Sequence, residues 1–285
     1  MFKSGQAYIT WRKFKKNKVA IMGGTIVGSF LLFAALAPLI APYSPRRVDW
    51  VDTLRKFSPP SSKHPLGTDN LGRDVFSYIV WGSRSSILIA LGIIIIETII
   101  ALVIGGISGY YGGIIDNILM RISEVILTIP SLILLIVAVS MFKVRSSAMI
   151  MVLTGLLWWP WMCRIIRSEF LSLKERLYVD AAKSMGASDL RIIFRHILPN
   201  AVSPIIVSAT FDLAAAILYI TTLTFLGLGD PTMVSWGNMI NDGRHYLRSA
   251  WWIATFPGIA IFITTLGFNL LGDGLRDAFD IKSRI

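Results

Sequence analysis

The 285 residues carry a net charge of +11, yet only 16% of them are charged, 54% are hydrophobic, and the mean hydropathy is +0.64. Soluble domains carry roughly a quarter charged residues, so the composition excludes an ordinary soluble protein and points to one integral to a membrane. The single cysteine, Cys163, excludes an internal disulfide or a thiolate metal cluster built from this chain alone.

A membrane-crossing helix needs roughly 20 mostly apolar residues. Six stretches qualify: about 19 to 42, 85 to 108, 117 to 142, 147 to 169, 201 to 227 and 251 to 272. Helices are expected because each satisfies its own backbone polar groups in lipid, and none of the runs shows the alternation of a membrane barrel. The fold class is therefore an all-α polytopic membrane protein with six transmembrane helices. The first apolar run is longer than the roughly 7 to 15 residues of a signal-peptide core and shows no convincing small-residue cleavage site, so it is kept as a span.

Between the first two spans, "SPRRVDW" and "SPPSSKHPLG" are rich in turn-forming residues, and the segment from 43 to 84 reads as a linker. Within it, Thr68 or Asp69 is placed to cap a short helix through "NLGRDVFSYIVWG". In the fourth span, Pro160 of "WWPW" removes a backbone donor and is expected to kink the helix. Several of the other tryptophans fall at span ends, and interfacial belts explain most of them. Six spans place both termini on one side, which carries seventeen Lys and Arg against eleven on the other. That bias favours cytoplasmic termini, and the basic residues read as membrane-side anchors rather than a nucleic-acid surface.

The chemistry-bearing motifs are mostly missing. No Gly-Lys pair occurs, so no phosphate-cradling loop can form, and neither H-E-x-x-H nor G-x-S-x-G is present. The histidines, His64, His196 and His245, are far apart in sequence. Charges within apolar runs are costly and are functional candidates: Glu97 in "IIIIETII", Asp212 in "SATFDLAAAIL", and Asp273 near the end of the last span. They fit either a proton relay in an ion-coupled carrier or hydrogen bonds to a neighbouring helix or subunit.

"YVDAAKSMGASDLRIIFRHILPN", residues 178 to 200, is the one dense run of charged and small residues between apolar spans. Val179, Ala182 and Gly186 share a helical stripe along which a partner can approach the backbone, with Ala181 beside it. Asp180 and Lys183 are spaced to pair, and Ser188 is placed to cap a second helix. Leu190, Ile193, Phe194, Ile197 and Leu198 give that helix an apolar face until Pro199 ends it. Two short helices meeting near Gly186 and Ala187 make either a docking knob or an amphipathic loop on the lipid surface.

These residues resemble the permease subunits of ATP-binding-cassette importers, whose cytoplasmic loop carries E-A-A-x-x-x-G-x(9)-I-x-L-P. "DAAKSMGASDLRIIFRHILP" matches at Asp180, Ala181, Ala182, Gly186, Leu198 and Pro199, with Asp for Glu and His196 where the pattern has Ile. "HPLGTDNLGRD", "WGSRSSILIALG", "FLGLG" and "SWGNM" are similar to the C-type member of the dipeptide, oligopeptide and nickel permease family, over about Lys16 to Asp280. Two departures stand out. Ile220 occupies a position where many relatives have an acid, and "GLGDPTMVSWG" differs from the double-proline form common in peptide importers.

The resemblance implies a type I importer half that is not itself an enzyme. Residues 1–42 would hold a cytoplasmic basic tail and an extra first helix, 43–84 an extracytoplasmic linker, 85–275 the transmembrane domain with its coupling loop at 170–200, and 276–285 a cytoplasmic tail. Tyr178, Asp180, Ala181, Ala182, Gly186, Ala187, Leu198 and Pro199 would form the ATPase contact. The implied partners are a second permease of similar fold, two ATPase subunits, an extracytoplasmic binding protein and the lipid of the cell membrane, with no nucleic acid. No cofactor is implied in this chain, since ATP and Mg would sit on the ATPases. Cargo would be di- or oligopeptides, with oligosaccharide and nickel as alternatives.

Overall fold

The computed structural model describes residues 2–43, 55–142 and 146–279. Its described residues hold five helices long and apolar enough to cross a membrane, or six if a bent pair is counted as one span. The first helix, α1 (Phe2–Lys16), is basic and leads through Asn17 into α2 (Lys18–Ala35), the first span. Asn17 caps α2 by accepting from the backbone N–H groups of Val19 and Ala20 at 2.9 and 3.2 Å. Its amide donates to Asp277 at 3.0 Å, so the beginning and the end of the chain meet at one end of the bundle. A short α3 (Ala37–Ile40) extends α2.

The second span, α4 (Val75–Tyr111), starts at Val75 rather than near residue 85, so residues 75–84 of the expected linker are helical. Its cap is Asp74, not Thr68 or Asp69. The Asp74 carboxylate accepts from the Ser77 N–H at 2.8 Å and also faces His64 Nδ1 at 2.9 Å. Thr68 and Asp69 instead organise the preceding turn: Thr68 Oγ1 accepts from Ser58 N–H, while Asp69 accepts from the N–H groups of Leu71 and Arg73. Residues 55–74 are therefore a folded cap over one end of the bundle.

The third span is two helices, α5 (Gly113–Thr128) and α6 (Ser131–Ser140), bent by 81°. One straight helix over 117 to 142 was expected. Pro130 explains the break, because it lacks an N–H and forces Ile129 into extended backbone (φ −99, ψ 129). By contrast α7 (Ser147–Lys174) continues through the buried Pro160. α7 runs parallel to α4 in one long contact. Along it the backbone of Gly109 lies so close that an added Cβ would stand 2.7 Å from the Arg167 carbonyl oxygen. Small residues that let helix backbones meet are the main packing device available in lipid.

A connecting element, α8 (Leu177–Ser184) and α9 (Asp189–Ile192), leads into α10 (Leu198–Phe225). The chain then forms α11 (Trp236–Gly243) and the last span, α12 (Trp252–Phe279), which packs against α2 and α10. Trp236 and Trp252 are not belt residues. Both are buried, and their indole N–H groups donate at 3.0 Å to the carbonyls of Ile79 and Thr68, pinning α11 and α12 to the capped end. Trp251 does stay half exposed.

Candidate functional site

The connecting element lies at the end of the bundle that holds both termini, because α7, parallel to α4, delivers it there and α10 carries the chain back. α8 ends in a Schellman motif. Gly186 adopts φ +74 and donates to the Lys183 carbonyl at 2.9 Å, and Ala187 N–H reaches the Ala182 carbonyl at 3.1 Å. Nothing lies within 4 Å of a Cβ built on Gly186. The left-handed backbone makes the glycine a helix stop, and its surface is open on this chain.

The stripe itself is turned inward. Val179 and Ala182 are buried and join Phe170, Ile192, Ile197 and Ala201 in one apolar cluster. The outward stripe is Leu177, Ala181 and Met185, at i, i+4 and i+8, with Leu177 88% and Met185 81% exposed. Tyr178 and Asp180 are exposed beside it, while Ala187, Leu198 and Pro199 are partly covered. Asp180 and Lys183 do pair, at 3.5 Å, an exposed contact of little energetic weight. Ser188 precedes α9 but makes no side-chain capping bond.

Pro199 does not end the second helix. Residues Ile193–Ile197 form a π-turn, so that Leu198 N–H bonds back to the Ile193 carbonyl, and the helix runs on into α10. A proline ring clashes with the carbonyl four residues before it, and the shift to five-residue bonding relieves that clash. Asn200 donates its side-chain amide to the His196 carbonyl at 2.6 Å. From Asp189 to Phe225, α9, the π-turn and the fifth span are thus one continuous rod, with α8 set off from it by the turn at Gly186.

Two polar ties that the sequence did not single out lie at this end of the bundle, one joining the rod to α4 and the other joining α7 to α5. The Tyr110 hydroxyl, at the end of α4, donates to Asp189 at 2.7 Å. Arg167 of α7 makes a bidentate pair with Asp116 of α5, Nε and an Nη each at 2.6 Å, and Ser108 also donates to Asp116. Bidentate charge-assisted bonds are among the strongest and most directional available. Asp116 and Arg167 carry no signal in the sequence, because each sits where an apolar run meets charged residues.

Of the charges expected within the membrane, Glu97 is 1% exposed, in electrostatic reach of Asp212, and its Oε2 has no hydrogen-bond partner among the described residues. Asp212 is partly buried and likewise has an unpartnered Oδ2, whereas Asp273 is exposed. No group of three or more His, Cys, Asp or Glu side chains arranged to hold a metal ion occurs among the described residues.

The described helices thus form a membrane bundle whose fourth and fifth spans are joined by an exposed helix anchored on its inner side. Residues 101–285 match the family model described as the binding-protein-dependent transport system inner membrane component. Residues 5–60 match the N-terminal TM domain of oligopeptide transport permease C. The chain is 40% identical to a dipeptide transport system permease protein of Alkalihalophilus pseudofirmus, over 96% of this chain and 89% of that one. It is 40% identical to a glutathione transport system permease protein of Pectobacterium atrosepticum, covering 95% and 90%. It is 38% identical to an oligopeptide transport system permease protein of Bacillus subtilis, covering 95% and 88%. The chain belongs to the family of inner membrane components of binding-protein-dependent transport systems, as a C-type permease. It is a multi-pass, non-catalytic membrane subunit, and its system includes further proteins.

Proposed function

We propose that this chain forms one half of the path by which an ATP-driven importer carries small peptides across the cell membrane, and that ATP energy enters it through α8. The observation that carries the proposal is the outward stripe Leu177, Ala181 and Met185 on a helix anchored from behind by Val179 and Ala182. Large apolar side chains exposed at a polar membrane boundary are poorly placed against water and mark a protein contact. The excess of Lys and Arg at this end supports a cytoplasmic location for it and for both termini.

The partners in this reading are a second permease of similar fold, two ATPase subunits that bind Mg and ATP, and an extracytoplasmic binding protein. Closure of the ATPase pair pushes α8. Because α9, the π-turn and α10 form one rod, and Tyr110 ties that rod to α4, the displacement reaches the transmembrane path as a near-rigid movement. Peptide cargo is supported by relatives named for dipeptides, oligopeptides and glutathione. Oligosaccharide, nickel and ion-coupled transport draw no support from those relatives.

The test replaces Leu177 and Met185 together by Asp. Membrane insertion should be unchanged, while co-purification of the ATPase subunits and ATP-driven uptake are lost. Normal coupling in that variant would overturn the assignment. Ion-driven uptake by this chain reconstituted alone would favour the carrier instead.

A further inference from the structure

A second feature of the bundle lies away from the coupling element. Between α7, α10 and α12 runs a groove of about 630 Å³, within the roughly 300–1,000 Å³ of small-molecule sites. Glu169 and Trp161 line it from α7, Ser203 and Asp212 from α10, and Arg276 from α12. Ser203 and Arg276 lie near the end of the bundle that carries the termini. Asp212 lies nine residues further along α10, roughly 13 Å deeper at 1.5 Å per residue.

Placing a charged side chain at the centre of a bilayer costs at least about 2.5–3.5 kcal/mol, so such residues face protein or water. The two sides of the bundle differ accordingly. Along α4, Leu91, Ile95, Ile99 and Val103 repeat at i, i+4 and are exposed, an apolar stripe suited to lipid. The groove displays two carboxyls and a guanidinium instead, which fits the water-filled path. At its deep end the Asp212 Oδ2 is buried without a partner, and behind it Glu97, almost wholly buried, leaves Oε2 unpartnered too. Of the two carboxyls only Asp212 lines the groove, so it is the one that a donor from outside the chain can reach.

We propose that the groove is this subunit's half of the cargo site, where Asp212 accepts the ammonium of a peptide's amino terminus and Arg276 meets its carboxylate. The proposal rests on the importer reading above. An ammonium brings three donors to the acceptor-rich floor, and a guanidinium matches a carboxylate. Three or four extended residues span at most about 10–14 Å, the order of the roughly 13 Å over which the groove runs along α10. The two-ended charge selects short zwitterions over neutral solutes.

Cys163 is buried, so a cysteine introduced in the groove is read by following the label on this chain alone. Val207→Cys in the assembled complex, without binding protein, is exposed to a charged methanethiosulfonate reagent with and without trialanine or N-acetyltrialanine. The groove should label, trialanine should slow labelling, N-acetyltrialanine should protect roughly tenfold less well, and Asp212→Asn should abolish the difference. Absence of labelling, equal protection by both peptides, or a preference that survives Asp212→Asn would overturn the proposal. If Asp212→Asn fails to assemble, Arg276→Gln serves with trialanine amide as the comparison: the preference for free trialanine over its amide should vanish, and its survival would overturn the proposal. Wild-type ATP-driven uptake of trialanine separates the two levels. Uptake without protection sinks the groove alone, whereas a chain that never assembles with ATPase subunits sinks the importer reading and the groove with it.

Discussion

Tyr110 and Gly109 are neighbours in sequence and do opposite jobs at the end of α4. The Tyr110 hydroxyl reaches Asp189 at 2.7 Å and so joins the longest helix to the connecting element. Removing it in Tyr110→Phe should cost about 1–2 kcal/mol locally while leaving the buried ring in place. ATPase subunits should still co-purify with this variant, but uptake per ATP hydrolysed should fall; an unchanged ratio would show that the bond carries no coupling. Gly109 instead lets α4 and α7 touch, since a Cβ there would stand 2.7 Å from both the Arg167 carbonyl oxygen and the Phe170 Cβ. Gly109→Leu should push the helices apart and lower the thermal midpoint of the purified complex by several degrees, as overpacking commonly costs about 1–3 kcal/mol. Neither role was legible in the sequence, because a tyrosine at a span end reads as an interfacial anchor and a glycine among glycines reads as generic.

The connecting element shows which parts of a motif can be read before the fold is known. Spacing alone located two short helices meeting near Gly186 and Ala187, and the resemblance pointed to a partner contact. What it could not give is which side of α8 faces out. Val179 and Ala182 looked like a face for close approach, but small apolar residues serve equally well to seat a helix on its own protein, and here they do. Pro199 reads as a helix end because sequence rules assume four-residue bonding, which the π-turn at Ile193–Ile197 replaces. At the other end of α10, Asp230 accepts from the backbone and hydroxyl of both Ser147 and Thr232, joining the loop to the start of α7. Burial works to raise its pKa, but the bonds from Thr232 and Ser147 outweigh that and hold it below the ordinary carboxylate range. A lowered folded pKa gives stability that is present at neutral pH and is lost as pH falls through that value. The purified protein should therefore lose thermal stability in acid, and Asp230→Asn should flatten that part of the profile.

At the scale of the whole molecule, the six apolar runs and the all-helical class were legible because a bilayer demands long apolar helices and little else. The folded cap over residues 55–74 was not, since its order comes from tertiary bonds such as His64 to Asp74 and Trp252 to Thr68. The structure divides labour between its two ends. One end is closed by buried indoles and a hydrogen-bonded cap, and the other presents a single anchored helix with an apolar stripe. The central claim is that energy from partner ATPases enters through that stripe. Ala181→Cys, in a chain whose Cys163 is buried, tests it by bifunctional cross-linking within the assembled importer. We predict a cross-link to an ATPase subunit that blocks uptake until a cleavable linker is reduced. Full ATP-driven uptake with the cross-link in place, or an ATPase that cross-links elsewhere on the chain but never at Ala181→Cys, would contradict the account.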